Sequence, residues 1–314
     1  MDFFTHLLIG LIVSYLAGGS SQPLYLELGV FMSLLPDLDF LLFPLWRRLP
    51  FTGHHGITHT PIFIIAASVA IYAALFIFAE VSDTGLLFVM LLTGLIHIFG
   101  DFLGTGGVAL YYPISKKYSR LNIDLGIDPL LIVFSIAGIL IFFRSYLNSL
   151  IFPSLWSITI LLGLFFVLYY LARAFLKLYL EHRPENLGFT ALPTANPFRW
   201  KYARRMEEKE AIEISLKTEK GVEIFIIPKD REKKIEQCED LVYTYWHPVV
   251  QGEMRFFEYP CYKITCQEGK MEIIWNSAEA GKVLDVQVTL DKGNLKVKRR
   301  LQGKKYYYGI GKDD

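Results

Sequence analysis

Histidine and aspartate residues are concentrated in the first third of the chain, where most of the surrounding residues are apolar. Ionisable groups at membrane depth are costly and usually functional. Imidazole and carboxylate groups together suit zinc, manganese or iron as ligands. Five of the seven histidines lie in this region: His6, His54, His55, His59 and His97. This part of the sequence therefore predicts a metal site.

The spacing of these residues also suits metal binding. His97 and Asp101 are four residues apart, so on a helix they share one face. His55 and His59 have the same spacing, but the glycine and proline around them place the start of a helix near His59, which leaves the geometry of that pair open. The His97–Asp101 pair thus offers two donors to one ion.

Asp37 and Asp39 are two residues apart, so in a strand or at a broken helix end both could point to one centre. With the histidines and Asp101 they make more candidate ligands than one tetrahedral ion needs. One ion or two ions are therefore both open.

A metal ion held by such a cluster could serve hydrolysis, or the cluster could serve metal or proton transport. An ion would activate a water for attack on an ester or phosphoester. An aspartate not needed as a ligand, most simply Asp39 or Asp101, would act as general base. A site at bilayer depth favours an amphiphilic or lipid substrate. Arg47 and Arg48 either contact its anionic headgroup or serve only as topology determinants.

The composition of the 314-residue chain indicates a membrane protein. Hydrophobic residues make up 53% of it, charged residues only 20%, and the mean hydropathy is +0.34, which is too apolar for an ordinary soluble enzyme. The net charge of +1 shows no basic excess, so we expect no nucleic-acid partner.

The apolar residues predict a multi-pass α-helical membrane bundle of about six spans in residues 1–180. A helix needs about 17–25 apolar residues to cross the hydrocarbon. The candidate spans are Phe3–Ala17, Leu24–Trp46, Pro61–Ala79, Leu86–Phe102, Pro129–Phe143 and Ile151–Ala172. The second span contains Pro36, where it could kink or break.

Lysine and arginine residues set the expected orientation. They are concentrated in the second and fourth loops and after the last span, whereas the first and third loops contain none. Six spans then place both termini on the cytoplasmic side of the cell membrane. In that arrangement all the candidate ligands lie toward the cytoplasmic face.

The rest of the chain is expected to be soluble and mainly antiparallel β. We take 181–197 as a linker and 198–314 as a cytoplasmic domain. Expected strands are Ala211–Thr218, Val222–Pro228, Leu241–Trp246, Met254–Tyr259, Met271–Trp275, Val283–Leu290 and Leu295–Leu301. Alternating apolar and polar residues separated by short turns are typical of such a domain.

An ordered set of motifs resembles a known family. The motifs are Thr5-His6, Leu35-Pro36-Asp37-Leu38-Asp39, His54-His55-Gly56-Ile57-Thr58-His59-Thr60, His97-Ile98-Phe99-Gly100-Asp101 and Tyr111-Tyr112-Pro113-Ile114-Ser115. Together they resemble the YdjM-like membrane-bound metal-dependent hydrolases over residues 1–180. The resemblance implies a metal-dependent hydrolase whose metal-site residues are His6, Asp37, Asp39, His54, His59, His97 and Asp101.

One residue departs from the family pattern, and one other function class stays open. The family usually has arginine or another polar residue at His55, which makes His55 either an extra ligand or a substrate contact. A metal or proton transporter could use the same cluster. Transporters usually place such groups near the middle of the bilayer and within paired repeats. The position of the cluster along the helices would discriminate the two classes.

Overall fold

The computed structural model divides the chain into two compact units, Met1–Leu176 and Lys177–Asp314. The residues that it describes are 1–42, 55–115, 117–147, 155–208, 211–228, 245, 250, 258–267, 270–278, 281–291, 294–301 and 304–308.

The first unit is helical. Its described α-helices are α1 (Phe3–Ser14), α2 (Pro23–Leu34), α3 (Pro61–Ala79), α4 (Thr84–Leu103), α5 (Pro129–Leu147) and α6 (Leu155–Glu181). Helices α3 to α6 are long and apolar enough to cross a membrane, whereas α1, with the π-helical turn after it, and α2 are shorter. The described residues thus contain four candidate spans, and the prediction of about six has to be corrected.

The second predicted span, Leu24–Trp46, breaks at the proline that the sequence pointed to. Helix α2 ends at Leu34, and a 3-10 helix follows over Pro36–Leu42. Proline has no backbone N–H to continue the α-helical bonding, and its ring clashes with the preceding turn. The break turns the chain at Asp37 and Asp39, which lie within the 3-10 helix.

Small residues allow α1 and α2 to approach closely. A Cβ atom on Gly10 of α1 would lie only 2.6 Å from Cβ of Ser33 in α2. The Ser33 hydroxyl donates to the backbone carbonyl of His6 at 2.6 Å. Close packing of small residues with a polar contact is typical of helix pairs in membranes. This contact fixes His6 against the end of α2.

Two polar side chains cap the N-termini of α3 and α5. Thr60 precedes α3, and its hydroxyl accepts from the Phe63 amide at 3.2 Å. Asp128 precedes α5, and its Oδ1 accepts from the Leu130 amide at 2.9 Å. Both satisfy amides that have no intrahelical partner. Asp128 thus caps the helix that contains the fifth predicted span, Pro129–Phe143.

The second unit is an antiparallel β domain, as the sequence predicted. One sheet has the order β1 (Thr190–Pro193), β2 (Trp200–Glu207), β3 (Ala211–Thr218), β4 (Gly221–Pro228). The other has the order β5 (Pro260–Gln267), β6 (Lys270–Ser277), β7 (Gly281–Asp291), β8 (Asn294–Leu301), β9 (Lys304–Tyr308). Apolar side chains from both sheets, among them Ile214 and Trp275, form one buried core.

Four strands were not predicted from the sequence; β1 and β9 have only four and five residues, and β2 is strongly charged. The segment 181–197, taken as a linker, contains the last residue of α6, a 3-10 turn at Pro184–Asn186 and strand β1. Strands β2, β5 and β9 were also not predicted. Predicted strand Leu241–Trp246, apart from Tyr245, and most of Met254–Tyr259 lie outside the described residues.

Candidate metal centre

The last turn of α4 supplies two of the donors. His97 and Asp101 are one turn apart on the buried face of the helix, and each is 1% exposed. Nε2 of His97 lies 3.2 Å from Oδ2 of Asp101. The i,i+4 spacing read from the sequence therefore brings the two side chains to one point.

The turns on either side of residues 43–54 supply the other two donors. Asp37 comes from the 3-10 helix after α2, and His59 from a 3-10 turn, Ile57–His59, directly before α3. Nε2 of His59 lies 3.4 Å from Oδ1 of Asp37 and 3.3 Å from Oδ2 of Asp101. Three separate segments of the chain thus meet in one group.

The dimensions of this group fit a metal ion. Each histidine nitrogen lies 3.2–3.7 Å from each of the two carboxylate oxygens, and all four atoms lie within 4.8 Å of one another. A tetrahedral ion with bonds of about 2.0–2.2 Å holds its ligands about 3.3–3.6 Å apart. The four side chains Asp37, His59, His97 and Asp101 are therefore positioned to hold a metal ion.

Two buried atoms of the group support the same conclusion. Among the described residues, none completes a hydrogen bond to Nε2 of His97 or to Oδ2 of Asp101. Buried polar atoms in folded proteins almost always have a partner, and an ion is one explanation when no protein group serves. The donor chemistry of imidazole nitrogen and carboxylate oxygen suits that explanation.

A hydrogen bond at Nδ1 of His97 fixes the tautomer of the ring, so that Nε2 is free of a proton. Nδ1–H of His97 donates to the backbone carbonyl of Ser33 at 2.7 Å. The proton on Nδ1 leaves the lone pair of Nε2 directed at the group. Histidines that ligate metals almost always use their other nitrogen in this way.

His59 is oriented through a hydroxyl. Its Nδ1 lies 3.1 Å from Oγ1 of Thr58, and this hydroxyl donates to Oδ2 of Asp39 at 3.0 Å. Because the single hydroxyl proton goes to Asp39, Thr58 accepts from Nδ1–H. Asp39 is 2% exposed and lies behind His59, outside the group of four. The sequence offered Asp39 as a ligand and general base, but the structure places it behind a ligand.

His6 meets the other oxygen of Asp101. Its Nε2 lies 3.1 Å from Oδ1, and its ring stacks on that of His97 with centroids 3.7 Å apart. The Met1 amino group contacts the same oxygen. His6 is thus next to the group of four without belonging to it.

His55 joins a loop to the cluster. Its backbone adopts a left-handed conformation, and its Nδ1–H donates to the Gly107 carbonyl at 2.6 Å. Its ring stacks on that of His59 at 4.8 Å. The loop 104–128, which follows α4, is thereby fixed beside the site.

The protonation of His59 and the ionisation of Asp37 stabilise each other. Burial opposes protonation of His59, but contacts with Asp101 and Asp37 outweigh it and raise the pKa of His59 to about 9. Burial also opposes ionisation of Asp37, but the contact with His59 and the charge of His97 hold the pKa of Asp37 below its usual range. A site that attracts a proton this strongly favours positive charge at its centre.

A second buried polar cluster lies at the start of α5. Asp124 is 1% exposed, and burial together with the neighbouring Asp128 raises the pKa of Asp124 to about 6. Oδ2 of Asp128 accepts from the Tyr169 hydroxyl of α6 at 2.5 Å. The hydrogen bond between Tyr169 and Asp128 connects α6 to the start of α5.

Of the other predicted site residues, His54, Arg47 and Arg48 lie outside the described residues. Thr58 and the carbonyl of Ser33 were not predicted from the sequence. Thr58 directly precedes His59, so a hydroxyl beside a predicted ligand could have drawn attention to it. A backbone carbonyl leaves no such signal.

Comparison with known proteins gives one family and one curated relative. The family described as YdjM inner membrane protein matches residues 1–180. An uncharacterized protein of Bacillus subtilis (strain 168), YfhP, is 27% identical over 196 residues, which cover 60% of this chain. The match spans 58% of the relative's length. No solved structure matches.

Proposed function

The chain belongs to the YdjM inner membrane protein family, and from this premise we propose that it is a membrane-embedded metal-dependent hydrolase. The observation that carries the proposal is the group of Asp37, His59, His97 and Asp101 at tetrahedral spacing beside the ends of two apolar helices. The expected activity is hydrolysis of an ester or phosphoester.

The four side chains would hold a single divalent ion. Zinc suits two imidazole nitrogens and two carboxylate oxygens at this spacing best, and manganese or iron accepts the same donors. Such an ion supplies Lewis acidity and a water whose pKa is lowered toward neutrality. Ser33 and the Thr58–Asp39 pair orient the two histidines, so that their Nε2 lone pairs are directed inward.

Asp37 is the member of the group that solvent reaches. Its side chain is 16% exposed, whereas those of His59 and Asp101 are at most 1% exposed. With Oδ1 in the group, the other carboxylate oxygen of Asp37, Oδ2, would accept a proton from a water that attacks the substrate. We therefore assign the general-base role to Asp37 in place of Asp39 or Asp101.

An apolar surface beside the site favours an amphiphilic substrate. Ile57 and Ile62, on either side of His59 in the chain, are 41% and 57% exposed. Ile57 lies in the 3-10 turn just before α3, and Ile62 lies in the first turn of α3, which is long and apolar enough to cross a membrane. A molecule with an apolar tail and an ester or phosphate headgroup would contact this surface and the ion together.

The position of the site along the helices supports a hydrolase over a transporter. His59 lies two residues before α3 begins, and Asp101 lies in the last turn of α4. A transporter would be expected to hold its ion near the middle of such helices. The loop after α4 carries Lys117 and Arg120, so we place this end, and both termini, on the cytoplasmic side of the cell membrane.

Metal content and hydrolysis test the proposal together. The detergent-purified wild type and a His59→Ala/Asp101→Ala variant would be compared by elemental mass spectrometry, with His182→Ala, an exposed histidine, as control. We expect zinc, manganese or iron in the wild type and the control and none in the double variant. Phosphoester and ester amphiphiles in mixed micelles would then be screened with the same proteins. Absence of metal from the wild type after reconstitution would overturn the proposal.

A further inference from the structure

The stacked rings of His6 and His97 each contact a different oxygen of the Asp101 carboxylate. The rings of His6 and His97 are 3.7 Å apart and inclined by 21°. Nε2 of His97 faces Oδ2 of Asp101 at 3.2 Å, and Nε2 of His6 faces Oδ1 at 3.1 Å. The two rings are thus nearly parallel, and each faces its own oxygen of Asp101.

We propose that a second divalent cation binds between Nε2 of His6 and Oδ1 of Asp101, so that Asp101 bridges two ions. The two oxygens of Asp101 face different imidazole nitrogens, Oδ2 that of His97 at 3.2 Å and Oδ1 that of His6 at 3.1 Å, and a carboxylate used in this way can serve two ions. The His6–Asp101 distance of 3.1 Å is also close to the spacing of two ligands on one ion. The inference rests on the proposed function, because it needs the first ion at Oδ2.

The second position is defined by fewer protein donors than the first. The first has four protein donors, whereas the contact between His6 and Asp101 defines the second. Water or substrate oxygens would complete its coordination, which is the usual condition of a catalytic ion. The Met1 amino group contacts Oδ1 of Asp101, and an ion would replace that contact.

His6 is held in position before any ion binds. Its backbone carbonyl accepts from the Ser33 hydroxyl at 2.6 Å, and the Gly10 contact presses α1 against α2 one turn away. The hydroxyl of Thr5 lies 3.0 Å from that of Ser135, which ties the same turn of α1 to α5. A ligand placed in advance in this way loses little entropy on binding.

The second ion would narrow the substrate class. Two ions held by His6, Asp101 and the group of four would supply charge for both the attacking and the leaving oxygen of an in-line displacement at phosphorus. A single ion serves carboxylic esters as well. The geometry therefore favours a phosphoester headgroup on the amphiphile.

Manganese binding to the full-length protein in detergent tests this inference without an activity assay. Metal-free wild type, His6→Ala, His6→Gln, His59→Ala and the control His182→Ala would be titrated with Mn²⁺ and followed by electron paramagnetic resonance. We expect about two equivalents and an exchange-coupled spectrum for the wild type, and about one uncoupled equivalent for both His6 variants. His59→Ala should lose the tight site, and His182→Ala should match the wild type.

The outcomes separate the second ion from the first. One equivalent in the wild type, unchanged in His6→Ala, would overturn the second site and leave the proposed function standing. No bound Mn²⁺ in any protein would overturn both. His6→Gln keeps a polar side chain in the helix, so its thermal unfolding beside that of the wild type excludes misfolding as the cause of a lost equivalent.

Discussion

Oδ2 of Asp39 lies 3.6 Å from Nδ1 of His59, on the edge of the ring opposite the nitrogen that joins the metal group. The Thr58 hydroxyl connects the two by hydrogen bonds of 3.1 and 3.0 Å. A carboxylate behind a histidine ligand fixes its tautomer and raises its basicity. Asp37 and Asp39 are therefore only two residues apart in sequence but hold different positions around His59.

Asp39→Asn should weaken metal binding without removing the site. Loss of a partner behind a ligand typically costs about 10–100-fold in metal affinity. Asp37→Asn, which removes a proposed ligand, should instead lower the bound stoichiometry. Competition with a chromogenic chelator would measure both quantities. Thr58→Val keeps the shape of the connecting residue and should copy Asp39→Asn; equal behaviour of Asp37→Asn and Asp39→Asn would contradict the division of roles.

His55→Asn should loosen the loop that follows α4. Asparagine tolerates the left-handed conformation of residue 55 but is too short to reach the Gly107 carbonyl as histidine does. We expect faster amide exchange at Val108 and Ala109, whose amides bond to Ser119 and His55. Mass spectrometry of deuterium uptake would show it. The Ile123 amide, bonded to Leu103, should exchange as in the wild type, and uniform acceleration across the unit would argue against a local tie.

Gly10→Ala should destabilise the first unit. The new Cβ would lie 2.6 Å from Cβ of Ser33, and overpacking of this kind costs about 1–3 kcal/mol. Gly163→Ala is the matched control, because its Cβ would meet Ile12 at an ordinary 3.4 Å. Thermal unfolding in detergent should therefore shift down for Gly10→Ala and stay level or rise for Gly163→Ala. A shift of the same sign in both would contradict close packing at Gly10.

Asp124 should make the metal-free protein less stable as the pH rises. Its pKa is raised from an ordinary 3.8 to about 6 in the fold, so the folded state favours the protonated form. That contribution is complete below pH 3.8 and is lost as the pH rises through about 6, by up to about 3 kcal/mol.

Asp124→Asn stays neutral at every pH and should lack this loss. Melting temperatures of both proteins at several pH values between 4 and 8, with a chelator present, would measure the difference. The wild type should lose stability relative to the variant across this interval. Parallel curves would show that Asp124 titrates normally.

The sequence could predict the site because its donors lie in short local patterns. His97 and Asp101 are placed together by helix periodicity alone, and Pro36 marks the break that turns Asp37 inward. The separate roles of Asp37 and Asp39 could not be predicted. They depend on how the turn Ile57–His59 packs against the 3-10 helix, which is a tertiary contact.

The sequence predicted which segments are apolar helices better than it predicted which of them are long enough to cross a membrane. Hydropathy measures the composition of a segment, but α2 stops at Leu34 for a local reason, the missing amide of Pro36. Strands of the second unit were predicted where apolar and polar residues alternate, as in Ala211–Thr218. Strand β1 has four residues, too few for a period to be recognised.

The donors of the group come from segments that are made at different times. The ribosome completes Asp37 and His59 long before Asp101, and the last turn of α4 closes the group. The proposed ion could therefore be captured by a nascent chain only after its first four helices have been synthesised and have come together. Metal retention would then record correct assembly of these helices, and a cell starved of the metal would accumulate chains whose early helices lack this cross-link.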